Sequence, residues 1–171
     1  MSSPLAYFIT FSSHGTWLHG RDPGSVDRQH NQYGTPALSP DPQREQACRE
    51  KMKHPPYDLD VRRREIILKT ICEVANHRNW QLWAVHVRTN HVHIVVSADA
   101  RPEKVMSDFK AWSSRRLREA LNESAEIDRW TRHGSTRYLW SEEQVDAEIR
   151  YTLEGQGEPM ACFDGRVNQV T

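Results

Sequence analysis

Nowhere does this 171-residue chain hold an apolar run near the roughly 20 residues that a membrane-spanning helix needs, and 27% of it is charged. The opening stretch MSSPLAYFITFSSHG lacks a basic segment followed by a long apolar core and a small-residue cleavage site. No export signal is read there, so a soluble, cytoplasmic protein without membrane contact is the expectation. Cysteine is scarce as well. Cys48, Cys72 and Cys162 are odd in number, widely spaced and in no CxxC pair, which excludes a disulfide framework and a thiolate metal site. Net charge is also missing, since 23 basic and 23 acidic residues cancel. Global attraction to nucleic acid is therefore not written in the composition, and any such binding must be local. With no internal repeat and no low-complexity tract, the length fits one domain and one core across residues 1–171.

What is present is a succession of short patterned segments. AYFITF (6–11) is apolar, aromatic and β-branched, and reads as a buried strand. Residues 12–57 hold Pro23, Pro36, Pro40, Pro42, Pro55 and Pro56 among Gly, Ser, Asp and Asn. This predicts an irregular, Pro-rich insertion with a short helix near 42–52. From Asp58 to Arg78 the period becomes helical, with Val61, Ile67, Ile71, Val74 and Ala75 toward one face. NWQLWAVHVR and HVHIVVSA, separated by Thr89 and Asn90, predict a hairpin. RPEKVMSDFKAWSSRRLREALN predicts a second long helix, with Pro102 at its first position and Val105, Phe109, Trp112 and Leu117 on a buried face. STRYLW (135–140) reads as a strand, and SEEQ as a capping box opening a helix over 142–154 that Gly155 ends. The tail from Gln156 has no clear periodicity. Strand, helix, strand, strand, helix, strand is the order of an α+β, ferredoxin-like sandwich, with an antiparallel sheet, two long helices on one face and the other face open for function.

A two-residue turn at Thr89 and Asn90 sets Arg88 opposite His91 and His86 opposite His93. Because strand side chains alternate, one face carries those four residues, and the other carries Val85, Val87, Val92, Ile94 and Val96 against the helices. The HVH pair either ligates a cation or sits satisfied at a strand end. Two neutral imidazoles supply two ligand positions, and a divalent ion needs further oxygen or nitrogen ligands.

In the last helix Val145, Ile149 and Leu153 recur every four residues, placing Tyr151 about 200° from the centre of that stripe at 100° per residue. Glu148, Glu154 and Gln156 supply oxygen atoms near the same turn. A tyrosine is a poor nucleophile at neutral pH unless its target is polarised, which a histidine-bound cation accomplishes at a phosphate. Together these residues describe phosphodiester transesterification.

NHVHIVV, followed about 60 residues later by YTLEGQG, resembles the HUH single-tyrosine transposases of bacterial insertion sequences and their REP-associated relatives. The resemblance covers residues from about 58 to 157 plus the first strand. It implies that His91 and His93 bind a divalent metal, Mg²⁺ or Mn²⁺, that Gln156 is the third ligand, and that Tyr151 attacks single-stranded DNA. The implied products are a 5′-phosphotyrosine link and a free 3′-hydroxyl, with hairpin or stem-loop DNA as partner and a single chain or a homodimer as the active unit. The family often carries the glutamine four residues after the tyrosine; here it is five. Gln156 reaches the ion only if the chain leaves helical geometry at Gly155, and Glu154 is the substitute.

Lys110, Arg115 and Arg118, on a 101–118 stretch that otherwise reads as a solvated helix face, are candidate DNA-backbone contacts, and Arg88 on the hairpin is the candidate for a phosphate near the metal. Trp17, Trp112 and Trp130 are candidates for base stacking, with Trp112 more consistent with core. Tyr138 is a rival nucleophile, though its strand pattern suits a sheet position. His14, His19 and His30 match no standard metal spacing. Two other functions fit part of the pattern: a non-catalytic single-stranded nucleic-acid-binding module, and a metal-dependent phosphohydrolase using water.

Overall fold

In the computed structural model, residues 2–16 and 39–167 are described. Strand β1 (Ala6–Ser13) is followed by α1 (Pro42–Glu50), α2 (Val61–His77), β2 (Gln81–Val87), β3 (His91–Ser97), α3 (Pro102–Leu121), β4 (Trp130–Leu139), α4 (Glu142–Glu154) and β5 (Ala161–Asp164). The strands form one antiparallel sheet in the order β4-β1-β3-β2-β5. The fold is α+β and ferredoxin-like, extended by a fifth strand at the β2 edge that the patternless tail did not announce.

Alternation sorts the side chains into two layers. Tyr7, Ile9, Phe11, Val85, Val87, Val92, Ile94 and Val96 pack with Ile67, Ile71, Val74 of α2 and Val105, Phe109, Leu117 of α3. Val61, expected in that layer, is exposed in the first turn of α2, and Thr70 takes an inward place, its hydroxyl donating to the Ile66 carbonyl. Trp112 is half-buried beside the same layer.

The opposite face is not left open along its whole length, as the sequence suggests. Ala6, Phe8, Ala84, Val95 and Leu139 form a second apolar cluster there with Val145 and Ile149 of α4. The expectation of one core thus becomes two apolar layers sharing a sheet. The cause lies in β3, whose face toward α4 reads His91, His93, Val95: polar at one end and apolar at the other. The helix covers the apolar end and leaves the histidines at its rim.

The capping box that opens α4 forms with a shifted partner. Ser141 Oγ accepts the Gln144 backbone N–H at 3.3 Å, and the Gln144 side chain accepts from Trp140 N–H at 2.7 Å rather than from Ser141. Strand β4 begins five residues earlier than read from the sequence; of the predicted 12–57 insertion, residues 17–38 lie outside the described residues, β1 runs on to Ser13, and α1 is the short helix expected near 42–52. Trp17, His19 and His30 lie outside the described residues. Among the described residues no helix is long and apolar enough to cross a membrane.

Candidate catalytic and metal site

The hairpin register is the one the two-residue turn predicts: His86 pairs with His93, Val87 with Val92, and the Arg88 N–H donates to the His91 carbonyl at 2.8 Å. His91 and His93 consequently stand side by side on one face, ring centroids 4.7 Å apart. His93 Nδ1 lies 2.8 Å from Thr10 Oγ1 on β1, and His91 Nδ1 lies 2.7 Å from Asn90 Oδ1. His86, on the same face, is withdrawn from any ligand role: it is fully buried, its Nδ1–H donates to the Thr152 carbonyl at 2.9 Å, and its Nε2 accepts from Met160 N–H at 3.1 Å.

Tyr151 stands closer to the sheet than the sequence implies. The buried face of α4 consists of Val145, Glu148, Ile149 and Thr152, not Val145, Ile149 and Leu153. Its centre is rotated by about 50°, so that Tyr151 lies about 110° from it by the shorter way round, against about 160° (200° the other way) for the stripe read from the sequence. The phenol therefore flanks the interface, 47% exposed, with its ring 5.7 Å from His93 and 6.0 Å from Phe8. Two anchors hold the helix there. Thr152 is tied to His86, and Glu148, buried beneath the helix, is ion-paired with Arg137 of β4.

Helix α4 ends where Gly155 leaves it, and the next turn carries Gln156 inward. A side chain at 155 would stand 2.8 Å from the Tyr151 carbonyl oxygen and 2.9 Å from its ring, so glycine permits this close pass; Gly157, at φ 79°, completes the turn. Gln156 Oε1 lies 3.1 Å from His93 Nε2, and Gln156 Nε2 donates to the Tyr151 carbonyl at 3.4 Å. Glu154 is exposed on the helix, with Arg166 as a charged neighbour.

Two imidazoles and a carboxamide oxygen thus face one another next to a phenol, all within one chain. Among the described residues no three His, Cys, Asp or Glu side chains gather at a metal position, so a cation here depends on the glutamine. The donor set fits a small divalent ion: nitrogen from two neutral rings and one hard oxygen, with positions left for a substrate oxygen. Burial first, then the neighbouring His91, pushes His93 down to about 4, and burial also lowers His91 from 6.5. Both rings are therefore neutral at pH 7, the form a cation requires.

Arg88 lies at the rim of the same site, its guanidinium donating to the Glu158 carbonyl at 2.6 Å. Arg115 and Arg118 are exposed on α3, on the far side of the sheet from the histidines, Arg115 lying over the Trp112 ring at 5.0 Å. Lys110 is engaged elsewhere, donating to the Thr131 and His133 carbonyls at 3.0 and 3.1 Å. Trp130 is part of the packing, donating to the Lys110 carbonyl at 3.1 Å and meeting Phe11 edge-on. Tyr138 pairs with Tyr7, whose side chain belongs to the α2 and α3 layer, so the rival phenol faces away from the histidines.

Thr10 and Arg137 escaped the sequence reading, and Asn90, His86 and Glu148 entered it without the partners they have in the structure. Asn90 had a signal, its place immediately before HVH. Thr10 had a weaker one, as the lone aliphatic hydroxyl inside AYFITF.

Residues 49–145, more than half of the chain, match the family described as IS200-like transposase; the match takes in the histidine pair and stops short of Tyr151. No curated protein matches significantly. Among solved structures, a REP-associated tyrosine transposase bound to a REP hairpin is similar in fold, with TM-score 0.52 and 10% identity over 90% of this chain and 67% of that one. A candidate transposase from Deinococcus radiodurans R1 gives TM-score 0.45 and 14% identity over 91% and 93%. On its HVH strand, its ferredoxin-like sheet and the family match, the chain belongs to the IS200-like transposases, the HUH single-tyrosine family.

Proposed function

We propose that this transposase cleaves single-stranded DNA and transfers the strand through a covalent 5′-phosphotyrosine at Tyr151, with a divalent cation, Mg²⁺ or Mn²⁺, held by His91, His93 and Gln156. The observation that carries the reading is the convergence of Tyr151, His93 and Gln156 within one chain: the phenol ring is 5.7 Å from His93, and the carboxamide is 3.1 Å from the same imidazole. When bound, the cation withdraws charge from a phosphate oxygen and fixes the phosphorus for in-line attack; the nitrogen ligands favour Mn²⁺ slightly over Mg²⁺.

The residues supply the rest. Tyr151 Oη forms a bond to phosphorus and gives up its proton; the bond from phosphorus to the 3′-oxygen breaks, and that oxygen takes up a proton. The count of phosphoester bonds is unchanged, so the link can be reversed onto another 3′-hydroxyl without an external energy source. The partial exposure of Tyr151 leaves it open to a strand crossing the sheet rim. Arg88 is suited to a flanking phosphate there, and the exposed Arg115 and Arg118 to backbone farther along the duplex. The fold relative bound to a REP hairpin supports stem-loop DNA as the partner. Convergence within a single chain favours cleavage in cis, with a homodimer not required for a complete site. We read residues 1–171 as a single catalytic domain, with the Pro-rich 12–57 segment inserted into it.

Labelled stem-loop single strands incubated with the protein and Mn²⁺ test this reading. The expected result is an adduct that survives denaturation, maps to Tyr151 and disappears in Tyr151→Phe. Hydrolysis that persists in Tyr151→Phe would instead indicate a water-using phosphohydrolase, and binding with no cleavage in either protein a binding module.

A further inference from the structure

His91 and His93 are both gripped at Nδ1, but by different kinds of group. Facing His91 is Asn90 Oδ1 at 2.7 Å, an atom that only accepts, so His91 carries its proton on Nδ1 and leaves Nε2 unprotonated, with Gln156 as a second polar neighbour of the ring. The Asn90 backbone is itself held in place: its main-chain carbonyl receives the Ser13 N–H at 2.9 Å and lies 3.3 and 3.4 Å from the hydroxyls of Ser13 and Thr16. Facing His93 Nδ1 is Thr10 Oγ1 at 2.8 Å, which can donate or accept.

The other side of His93 fixes its proton when no ion is present. Nε2 meets Gln156 Oε1 at 3.1 Å, an acceptor whose orientation is set by Gln156 Nε2 donating to the Tyr151 carbonyl. The ring proton therefore lies on Nε2, and the Thr10 hydroxyl donates to Nδ1. That arrangement is self-consistent but blocks the nitrogen that the cation needs.

We propose that Thr10 and Asn90 are positioning residues that set the ring protons of the histidine pair. Asn90 locks His91 with Nε2 bare, while Thr10 lets His93 move its proton from Nε2 to Nδ1 by turning its hydroxyl from donor to acceptor. One proton leaves Nε2 and one arrives at Nδ1 through water, so the change releases none. No heavy atom of His93 or Thr10 has to shift. A serine at position 10 would serve equally; a valine of the same shape would leave Nδ1 facing a methyl group, with no acceptor for the proton that must arrive there. The inference rests on the ion-site reading above and assigns that site's outer hydrogen bonds, which orient metal-bound histidines and tune their affinity.

Long-range proton–nitrogen spectra of histidine-labelled wild-type protein, without and with saturating Mg²⁺, test it directly. His91 is expected to be protonated on Nδ1 in both samples, and His93 on Nε2 without the ion and on Nδ1 with it. A His93 already protonated on Nδ1 before Mg²⁺ is added, or unchanged at saturation, overturns the proposal. In Mn²⁺ titrations followed by electron paramagnetic resonance, Thr10→Val is expected to weaken binding about tenfold or more, and Thr10→Ser to stay within about twofold. Asn90→Ala should weaken binding similarly, while Asn90→Asp keeps the acceptor and the affinity. A Thr10→Val protein that binds Mn²⁺ as tightly as wild type overturns the role of Thr10 and leaves the site reading intact. Wild-type protein that binds neither ion overturns both.

Discussion

Arg137 of the edge strand is ion-paired with Glu148, three residues before Tyr151 on α4, and the carboxylate of that pair is buried while the guanidinium is mostly in water. The pair thus pins the helix to the sheet from below. Arg137→Ala should destabilise the protein by about 1–2 kcal/mol, more than Arg137→Ala combined with Glu148→Gln, because the single change strands a buried charge. Urea unfolding of the three proteins checks the order. Adduct formation should slow in Arg137→Ala with little change in Mn²⁺ affinity, since the helix loosens while His91 and His93 stay put.

Gln156 and Glu154 make opposite forecasts as oxygen ligands. Gln156 is in contact with His93 Nε2, whereas Glu154 is exposed on the helix near Arg166. Gln156→Ala should weaken Mn²⁺ binding about tenfold or more, and Glu154→Ala should leave it within about twofold. Calorimetric titration of both variants reads the difference. A loss confined to Glu154→Ala would move the third ligand to that carboxylate.

Stability without metal should fall as the medium is acidified. His93 is held at about 4 by burial and by His91, and burial also lowers His86 and His91 from 6.5. Below pH 6.5 the unfolded chain takes up protons that the folded chain refuses, so the stabilisation present above 6.5 is lost progressively as pH falls toward the folded values. For His93 alone the span from 6.5 to about 4 corresponds to about 3 kcal/mol. Denaturant midpoints measured from pH 8 to pH 4.5 should drop mainly below 6.5, and His93→Gln should flatten that part of the curve.

The basic residues of α3 should separate by role. Lys110 spends its ammonium on two β4 carbonyls, and burial lowers its pKa, whereas Arg115 and Arg118 are exposed. Arg115→Ala and Arg118→Ala should each reduce the salt dependence of stem-loop binding by about one charge. Lys110→Ala should leave that slope unchanged and lower the thermal midpoint instead. A lower slope for Lys110→Ala would show that its ammonium leaves β4 for phosphate.

The hairpin was legible because a two-residue turn leaves one register, and strict alternation then fixes which side each of His86, Arg88, His91 and His93 occupies. The long helices were legible from their period. Helix α4 was only half legible: Glu148 is buried through its ion pair, so a stripe drawn from apolar residues alone was rotated toward Leu153 and swung Tyr151 too far from the sheet. The start of β4 was hidden because an exposed edge strand carrying Arg132, His133 and Gly134 shows no apolar alternation. Strand β5 was hidden because four residues, all half-buried, carry too little pattern. Thr10 could be assigned no partner until β1 was paired with β3.

The added strand β5 also bears on how far Tyr151 can move. Tyr151 sits between two moorings: β4 leads into its helix, and after Gln156 the chain is stitched to β2 from Val87–Ala161 to Ala84–Asp164, with Met160 clipped to His86. Lending the phenol to a neighbouring copy would mean ripping that seam as well as undocking the helix. Held at both flanks, Tyr151 is kept beside the histidine pair of its own chain.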